Sequence, residues 1–445
     1  MNALVVAVAL GNLLVPLNST MIVVALPALS RDLGVGVRDA SWIVTAYLVA
    51  MAALQPIAGR IGDRYGRRRV MLAALAYFTV ASLGAALAPS LPVLAFFRLQ
   101  QAISAAAVVP NGLGVLRDAL PAGGRGAQFG IVAGATGIGA SVGPLVGGLL
   151  ATIDWRAIFV INVPLALAAL LLVRRGVPVE DRARPTSRFD LGGAFGLGIL
   201  LLATAWWLST LDSAPDLPRL AALAAIGVGA WLFVRYERSR RDPALPLWLF
   251  RVRAFTAANA TIAFSNLAMY GTLLALPIIL GSSLVSGIVL TMFSLPSIVL
   301  SPFGGRLADR IGARTTTVVG CIALAAGVAP LIFGVSASIV PLVAALVLAG
   351  AGQALTFPSI RLASLDVLPA EHAALGSGVV STSRYFGGML ASVSVGVAFA
   401  GGGGTTALFA LFTAAAACAA LSGLALPGAG SSTRIVPADP STSTS

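Results

Sequence analysis

The sequence predicts an all-α integral membrane protein made of two six-helix bundles with two extra helices between them, fourteen transmembrane helices in all. Three observations lead there. Hydrophobic residues make up 58% of the chain and charged ones only 10%, and the mean hydropathy is +0.94. That leaves too little polar surface to cover a soluble protein of 445 residues. Apolar stretches long enough to cross a hydrocarbon core of about 30 Å, roughly 17 to 25 helical residues each, recur along the chain. Finally, GRIGDRYGRR at 59–68 returns as GRLADRIGAR at 305–314, so one half is a divergent copy of the other. Further echoes pair Pro110 with Pro358, Asp118 with Asp366 and Asn18 with Asn266.

The predicted spans are 3–28, 41–58, 70–88, 91–115, 127–151, 157–173, 191–211, 218–234, 254–280, 284–304, 315–335, 338–360, 374–399 and 405–426. The charged repeat falls after spans 2 and 10, a displacement of eight, which six helices plus an inserted pair explain. Residues 1–175 then form the first bundle, 176–253 the linker with its two extra helices, and 254–427 the second bundle. Residues 428–445, rich in Ser, Thr and Pro, are expected to be a disordered cytoplasmic tail.

Orientation follows from the arginines, because basic loops are retained inside. With both termini cytoplasmic, the outward loops hold only Arg31, Arg38, Arg156 and Arg219, and Arg98 and Arg384 lie within spans; every other arginine faces inward. The net charge of +13 is therefore a topology signal, with no soluble basic domain to suggest a nucleic-acid partner. No lysine occurs, so a GxxxxGK[ST] phosphate loop is impossible. One histidine (His372) and two cysteines (Cys321 and Cys418, read as small packing residues) offer no metal cluster or catalytic dyad. An enzyme and a cofactor are both unexpected. The expected partners are a small-molecule substrate, the lipid bilayer and protons, with the chain acting as a monomer. Its richness in Ala, Gly, Arg and Pro points to a bacterial plasma membrane.

Span 1 carries Pro16, Asn18, Ser19 and Thr20 without a basic leader, so it reads as a retained helix. Span 2 brings Tyr47 and Gln55, and then the charged motif. There Gly59 and Gly66 would allow a tight turn, Asp63 would cap a helix or pair with an arginine, and Arg64, Arg67, Arg68 and Arg69 would hold the inner surface. Asp309 and Arg310 repeat this latch. A basic anchor alone would not require Gly and Asp at matched places. Span 4 carries Arg98 and Gln101; a charged residue at a span centre costs about 2.5 to 3.5 kcal/mol, so Arg98 needs a cavity or a partner. Arg384 in span 13 poses the same problem. Span 5 fits G(X)8G(X)3GP(X)2GG through Gly130, Gly139, Gly143, Pro144, Gly147 and Gly148. Glycines four apart let helices approach closely, and Pro144 removes a backbone hydrogen bond. Spans 7 and 8 carry few polar groups and read as added bulk. Asn266 and Tyr270 lie in span 9 and Gln353 in span 12. Asn18, Tyr47, Gln55, Arg98, Gln101, Asn266, Tyr270, Gln353 and Arg384 are the candidate pathway residues. Each could instead tie helices together, at about 0.6 kcal/mol per bond.

The stretches LNSTMIVVALP (17–27), WIVTAYL (42–48), DWRAIFVINVP (154–164) and TSRYFGG (382–388), with the charged repeat and the glycine pattern, make the chain similar to the major facilitator superfamily. The resemblance covers about residues 10 to 425 and is to the fourteen-helix drug and proton antiporter branch. It implies a major facilitator fold and export of amphipathic, antibiotic-like molecules by alternating access, linked to protons. It also implies that the charged motif steadies the outward-facing state and that the glycine pattern is an exporter signature.

Span 1 departs from that pattern. Where the family reads LDxTxVNVALP, this chain has Asn18 and Val24, and none of its 16 acidic residues falls inside a predicted span. A proton-linked mechanism would then rest on a rim carboxylate such as Asp32, Asp63 or Asp154. Two buried arginines without a buried acid alternatively suit a weakly acidic or anionic substrate driven out by membrane potential. A non-transporting receptor or scaffold is the reading from another class; it leaves the paired latches and buried arginines without a purpose.

Overall fold

A computed structural model describes residues 3–119, 125–178, 190–211, 216–240, 243–335, 339–366, 368, 373–400 and 404–428. Among the described residues every regular element is helical. In chain order these are α1 (Ala3–Asp32), α2 (Val37–Tyr65), α3 (Arg67–Ala86), α4 (Leu91–Ala119), α5 (Arg125–Ala151), α6 (Ala157–Val160), α7 (Asn162–Gly176) and α8 (Leu191–Leu208). They continue with α9 (Leu217–Arg238), α10 (Arg253–Leu280), α11 (Ser283–Ile311), α12 (Ala313–Val328), α13 (Ile339–Asp366), α14 (Ala373–Ala400) and α15 (Thr405–Gly423). Single turns of 3₁₀ helix at Leu247–Arg251 and Ala329–Phe333 lead into α10 and out of α12.

Among the described residues thirteen helices are long and apolar enough to cross a membrane, with α6 and α7 counting as one. The sequence predicted fourteen. The difference is α14, which at 28 residues is about 42 Å long but carries Ser377, Ser381, Thr382, Ser383 and Arg384 among its glycines. The expected tail and His372 lie outside the described residues.

The charged repeat corrects the sequence reading in the same way twice. Instead of a loop, α2 runs through the motif to Tyr65 and α11 runs to Ile311, and a single glycine joins each to the next helix. Hydropathy ends where the charges begin, but Arg is a good helix former, so the helix continues. Gly59 therefore lies inside α2. The turn falls on Gly66 (φ 92°) and Gly312 (φ 90°), a conformation that a Cβ would strain. Gly66 N–H donates to Gly62 O at 2.9 Å and Gly312 N–H to Ala308 O at 3.0 Å, so both copies close the same bond. Neither glycine makes a side-chain cap, which leaves Asp63 to its other predicted role, pairing.

The chain divides into two compact units. The first takes residues 1–187 and 273–298, and the second the remainder. In the first, α1, α3, α4, α5 and α7 share a core around Leu4, Val8, Met71, Phe78, Leu116 and Val173. In the second, Phe255, Ile262, Ile360, Val379 and Leu426 gather beside the 3₁₀ turn at Leu249. Lipid tails are as apolar as Leu, so close packing rather than apolar burial must join such helices. A Cβ on Gly327 of α12 would lie 2.5 Å from Ala345 O of α13. Helices α8 and α9 belong to the second unit. There α8 touches α14 and α9 lies against α8, with only 6% of its most apolar window buried. Cys321 is buried, whereas Cys418 is exposed on α15.

Candidate functional site

The most constrained charge in the first unit is Arg98 on α4, 1% exposed. Its guanidinium lies 4.5 Å from the Tyr47 ring centre of α2 and 6.0 Å from that of Phe159 in α6. One nitrogen donates to Gln101 Oε1 at 2.9 Å, and Gln101 Nε2 donates in turn to Ser82 Oγ of α3 at 2.8 Å. Four elements thus converge on one cation. Arg98 Nε has no hydrogen-bond partner, and among the described residues no carboxylate pairs with Arg98. Stacking of a desolvated guanidinium on an aromatic face recovers about 2 kcal/mol. The positive charge itself remains uncompensated.

Near this cluster, Asn18 (2% exposed) accepts a 2.9 Å hydrogen bond from Asn162 Nδ2, which also donates to Ile158 O at 3.1 Å. Asn162 sits where α6 gives way to α7. Pro164 explains that break, because it has no N–H for Val160 O and its ring crowds that carbonyl. The Asn18 Nδ2 atom has no partner. Asn18 is thus in part an interhelical tie, and the carboxamide pair holds no charge.

In the second unit Arg384 on α14 is half-buried. It lies 4.6 Å from the Tyr385 ring centre and 5.8 Å from that of Phe357, and donates to Tyr385 Oη at 2.6 Å. Asn266, the repeat counterpart of Asn18, is buried but donates to Ile262 O on its own helix at 2.9 Å. Tyr270 is half-buried on α10. Gln55 on α2 and Gln353 on α13 are each 7% exposed, and their Oε1 atoms have no partner.

The glycine pattern occupies one face of α5. A Cβ on Gly139 would lie 2.5 Å from Leu13 O, and one on Gly147 2.7 Å from Met21 Cα, while Gly143 abuts Thr20 Oγ1, so the face lies against α1. Gly148 faces α11 instead, where a Cβ would come within 3.0 Å of Gly287 Cα. Ser141 Oγ fixes that contact by donating to Ser294 O at 2.8 Å. Pro144 lies within α5; the side-chain position of Gly130 lies outside the described residues.

At the charged motif, Arg67 Nε donates to Asp63 Oδ1 at 2.8 Å. Arg67, 7% exposed, sits against Gly114 of α4. Asn111 Nδ2 donates to Ala58 O at 3.0 Å, and Gly59 faces Pro110, so α2 and α4 are clamped together here. Arg68 donates to Arg174 O at 2.7 Å, fastening α3 to the end of α7. Arg64 and Arg310 are exposed; the Asp309 side chain lies outside the described residues. At the opposite rim Asp32 accepts from Trp155 Nε1 at 2.9 Å and from Arg156 Nη1 at 2.8 Å, and Arg156 also lies 3.8 Å from Asp154 Oδ1. All three proposed rim carboxylates are thus already paired with arginine.

Sequence reasoning missed Ser82, Asn111, Phe159 and Asn162. The last two stand in the stretch 154–164 that was singled out, but nothing in spacing says which neighbouring helix a side chain meets.

Comparison with known proteins adds the following. A family model described as Major Facilitator Superfamily matches residues 8–257 and 256–439. The chain is 33% identical over 407 residues to multidrug resistance protein Stp of Mycobacterium tuberculosis, covering 88% of this chain and 74% of the relative. It is 31% identical over 409 residues to the tetracenomycin C resistance and export protein of Streptomyces glaucescens, covering 88% and 75%. Among solved structures, a D-xylose-proton symporter superposes with a TM-score of 0.70 at 15% identity, over 94% of this chain and 96% of that one.

Proposed function

Because the chain belongs to the Major Facilitator Superfamily, whose members are multi-pass membrane transporters and not enzymes, we propose that it exports small amphipathic, antibiotic-like molecules from a bacterial cell. It would do so by alternating access across the plasma membrane. In this reading both termini are cytoplasmic, α14 supplies the fourteenth span, and α8 and α9 are the pair inserted between two six-helix bundles. The names of two relatives, a multidrug resistance protein and a tetracenomycin C resistance and export protein, support export. So does the glycine face of α5 seated on α1. Asn18, Tyr47, Gln55, Arg98, Gln101, Asn266, Tyr270, Gln353 and Arg384 contribute the polar pathway.

A second reading concerns the driving force, and one observation favours it: Arg98 is enclosed by two aromatic rings and the Gln101 amide, and among the described residues no carboxylate pairs with it. A proton-linked exporter needs a group whose protonation differs between its inward and outward states. Asn18 cannot titrate, and Asp32, Asp63 and Asp154 are occupied by arginines. In this reading the polar handle of the substrate is acidic, and its carboxylate or phenolate meets Arg98. An inside-negative potential of 100 mV then favours outward movement of one anion by about 2.3 kcal/mol, roughly fifty-fold, without a proton. A resistance panel of acidic, neutral and cationic compounds in expressing cells tests both readings. Protection against none of them would sink export. Protection confined to cations would sink the anionic handle.

A further inference from the structure

Between α8 and α9 the second unit has a groove of about 570 Å³, walled by Ile199, Leu200, Trp206, Ile226 and Phe233 and closed at one end by Tyr236. Ile199 and Trp206 are 66% and 51% exposed. In a membrane such faces meet acyl chains rather than water. From Ala222 to Tyr236 the groove wall runs about 21 Å along α9, longer than one leaflet of a core about 30 Å thick. The end at Tyr236 is charged. Arg240 stacks 4.5 Å over the Tyr236 ring and donates to its hydroxyl at 2.9 Å. Arg235 and Arg238 occupy the last turn of α9, and all three arginines are exposed.

The two described carboxylates at this end are hydrogen-bonded to other groups, one of them Tyr236 itself. Asp190 Oδ1 caps α8 through Gly193 N–H at 2.8 Å and accepts from Tyr236 Oη at 2.8 Å. Glu237, 2% exposed, accepts from Leu245 N–H at 2.9 Å. Among the described residues no carboxylate forms an ion pair with Arg235, Arg238 or Arg240. An apolar slot of acyl-chain length thus opens beside three guanidinium groups that pair with no carboxylate among the described residues, and guanidinium forks match phosphate oxygens.

We propose that this groove binds an anionic glycerophospholipid, with one acyl chain lying between α8 and α9 and the headgroup phosphate held by Arg240 and Arg235. The inserted pair is then a lipid-binding element as well as bulk. The reading is independent of what the transporter exports.

The test uses the purified full-length protein, whose Trp206 lines the groove, and lipids with brominated acyl chains, which quench nearby indoles. Phosphatidylglycerol and phosphatidylcholine of identical chains are compared, and Trp206→Phe identifies the groove component. Brominated phosphatidylglycerol should quench that component at a several-fold lower mole fraction than brominated phosphatidylcholine. Arg240→Ala and Arg235→Ala should each lower that preference by about fivefold, the equivalent of roughly 1 kcal/mol per arginine at a membrane surface. Ala225→Phe, at an exposed position on the groove wall, should reduce quenching by both lipids while folding is retained. Equal quenching by the two lipids would overturn the proposal, as would selectivity that survives both arginine changes. A lipid-free dimer in native mass spectrometry would overturn it too, by assigning the groove to a second copy of the chain.

Discussion

Arg98 and Arg384 look alike in the sequence and are held in different ways. Arg98 is sealed beneath Tyr47 and Phe159 from two other elements and is linked through Gln101 to Ser82 on a third. Arg384 is half-buried, donates to Tyr385 on the same helix and lies 5.8 Å from the Phe357 ring centre of α13. Both cations thus meet rings from other helices, but only Arg98 is fully enclosed. Enclosure of this kind favours Arg98 as a recognition group, since a group held by several elements need not be ordered again when a ligand arrives.

The comparison can be broken by substitution. Arg98→Ala should lower efflux from everted vesicles the most, by about thirtyfold or more, because a desolvated cation stacked on an aromatic face is worth about 2 kcal/mol. Membrane insertion should be unchanged. Arg98→Lys keeps the charge but loses the planar fork and should still cost about tenfold. Retention of full efflux in Lys would mean that stacking on Tyr47 and the Gln101 bond do not matter. Arg384→Ala should cost less, about three- to fivefold, because a half-buried stack is less desolvated than the enclosed one at Arg98; equal losses for the two alanine variants would erase the distinction. The smallest effect is expected at Asn18→Asp. Beside Asn162 it would introduce a titratable group, adding a pH dependence to efflux and shifting preference toward cations. An unchanged pH profile would place Asn18 among the purely structural ties.

Much of this was legible beforehand, for physical reasons that can be named. Gly66 was readable as a turn because glycine tolerates a φ near 90° that strains any side chain, and the repeat marked Gly312 as its counterpart; that one residue makes the whole turn, with Gly59 inside α2, was not. The glycine face of α5 was readable because residues spaced by four share a helix face. The lengths of α2 and α11 were not, since charge ends a hydropathy window without ending a helix. Nor was the difference between Asn18 and Asn266. Identical residues at matched positions meet different neighbours, Asn162 across the bundle in one case and the Ile262 carbonyl of the same helix in the other. Depth in the membrane can be counted from a sequence; the direction a side chain faces around its helix depends on partners far away in the chain, such as Phe159 for Arg98.

The central claim is that an uncompensated guanidinium, rather than a titrating carboxyl, meets the transported molecule. It is tested most directly in liposomes containing the purified protein, by following efflux of an acidic amphiphile under an imposed membrane potential at equal pH, and then under a pH gradient at zero potential. Efflux that follows the potential, with a limiting outward concentration ratio that rises roughly fifty-fold per 100 mV for each charge moved, and that is lost in Arg98→Ala, is the expected result. Efflux driven by the pH gradient alone and indifferent to potential would contradict the claim.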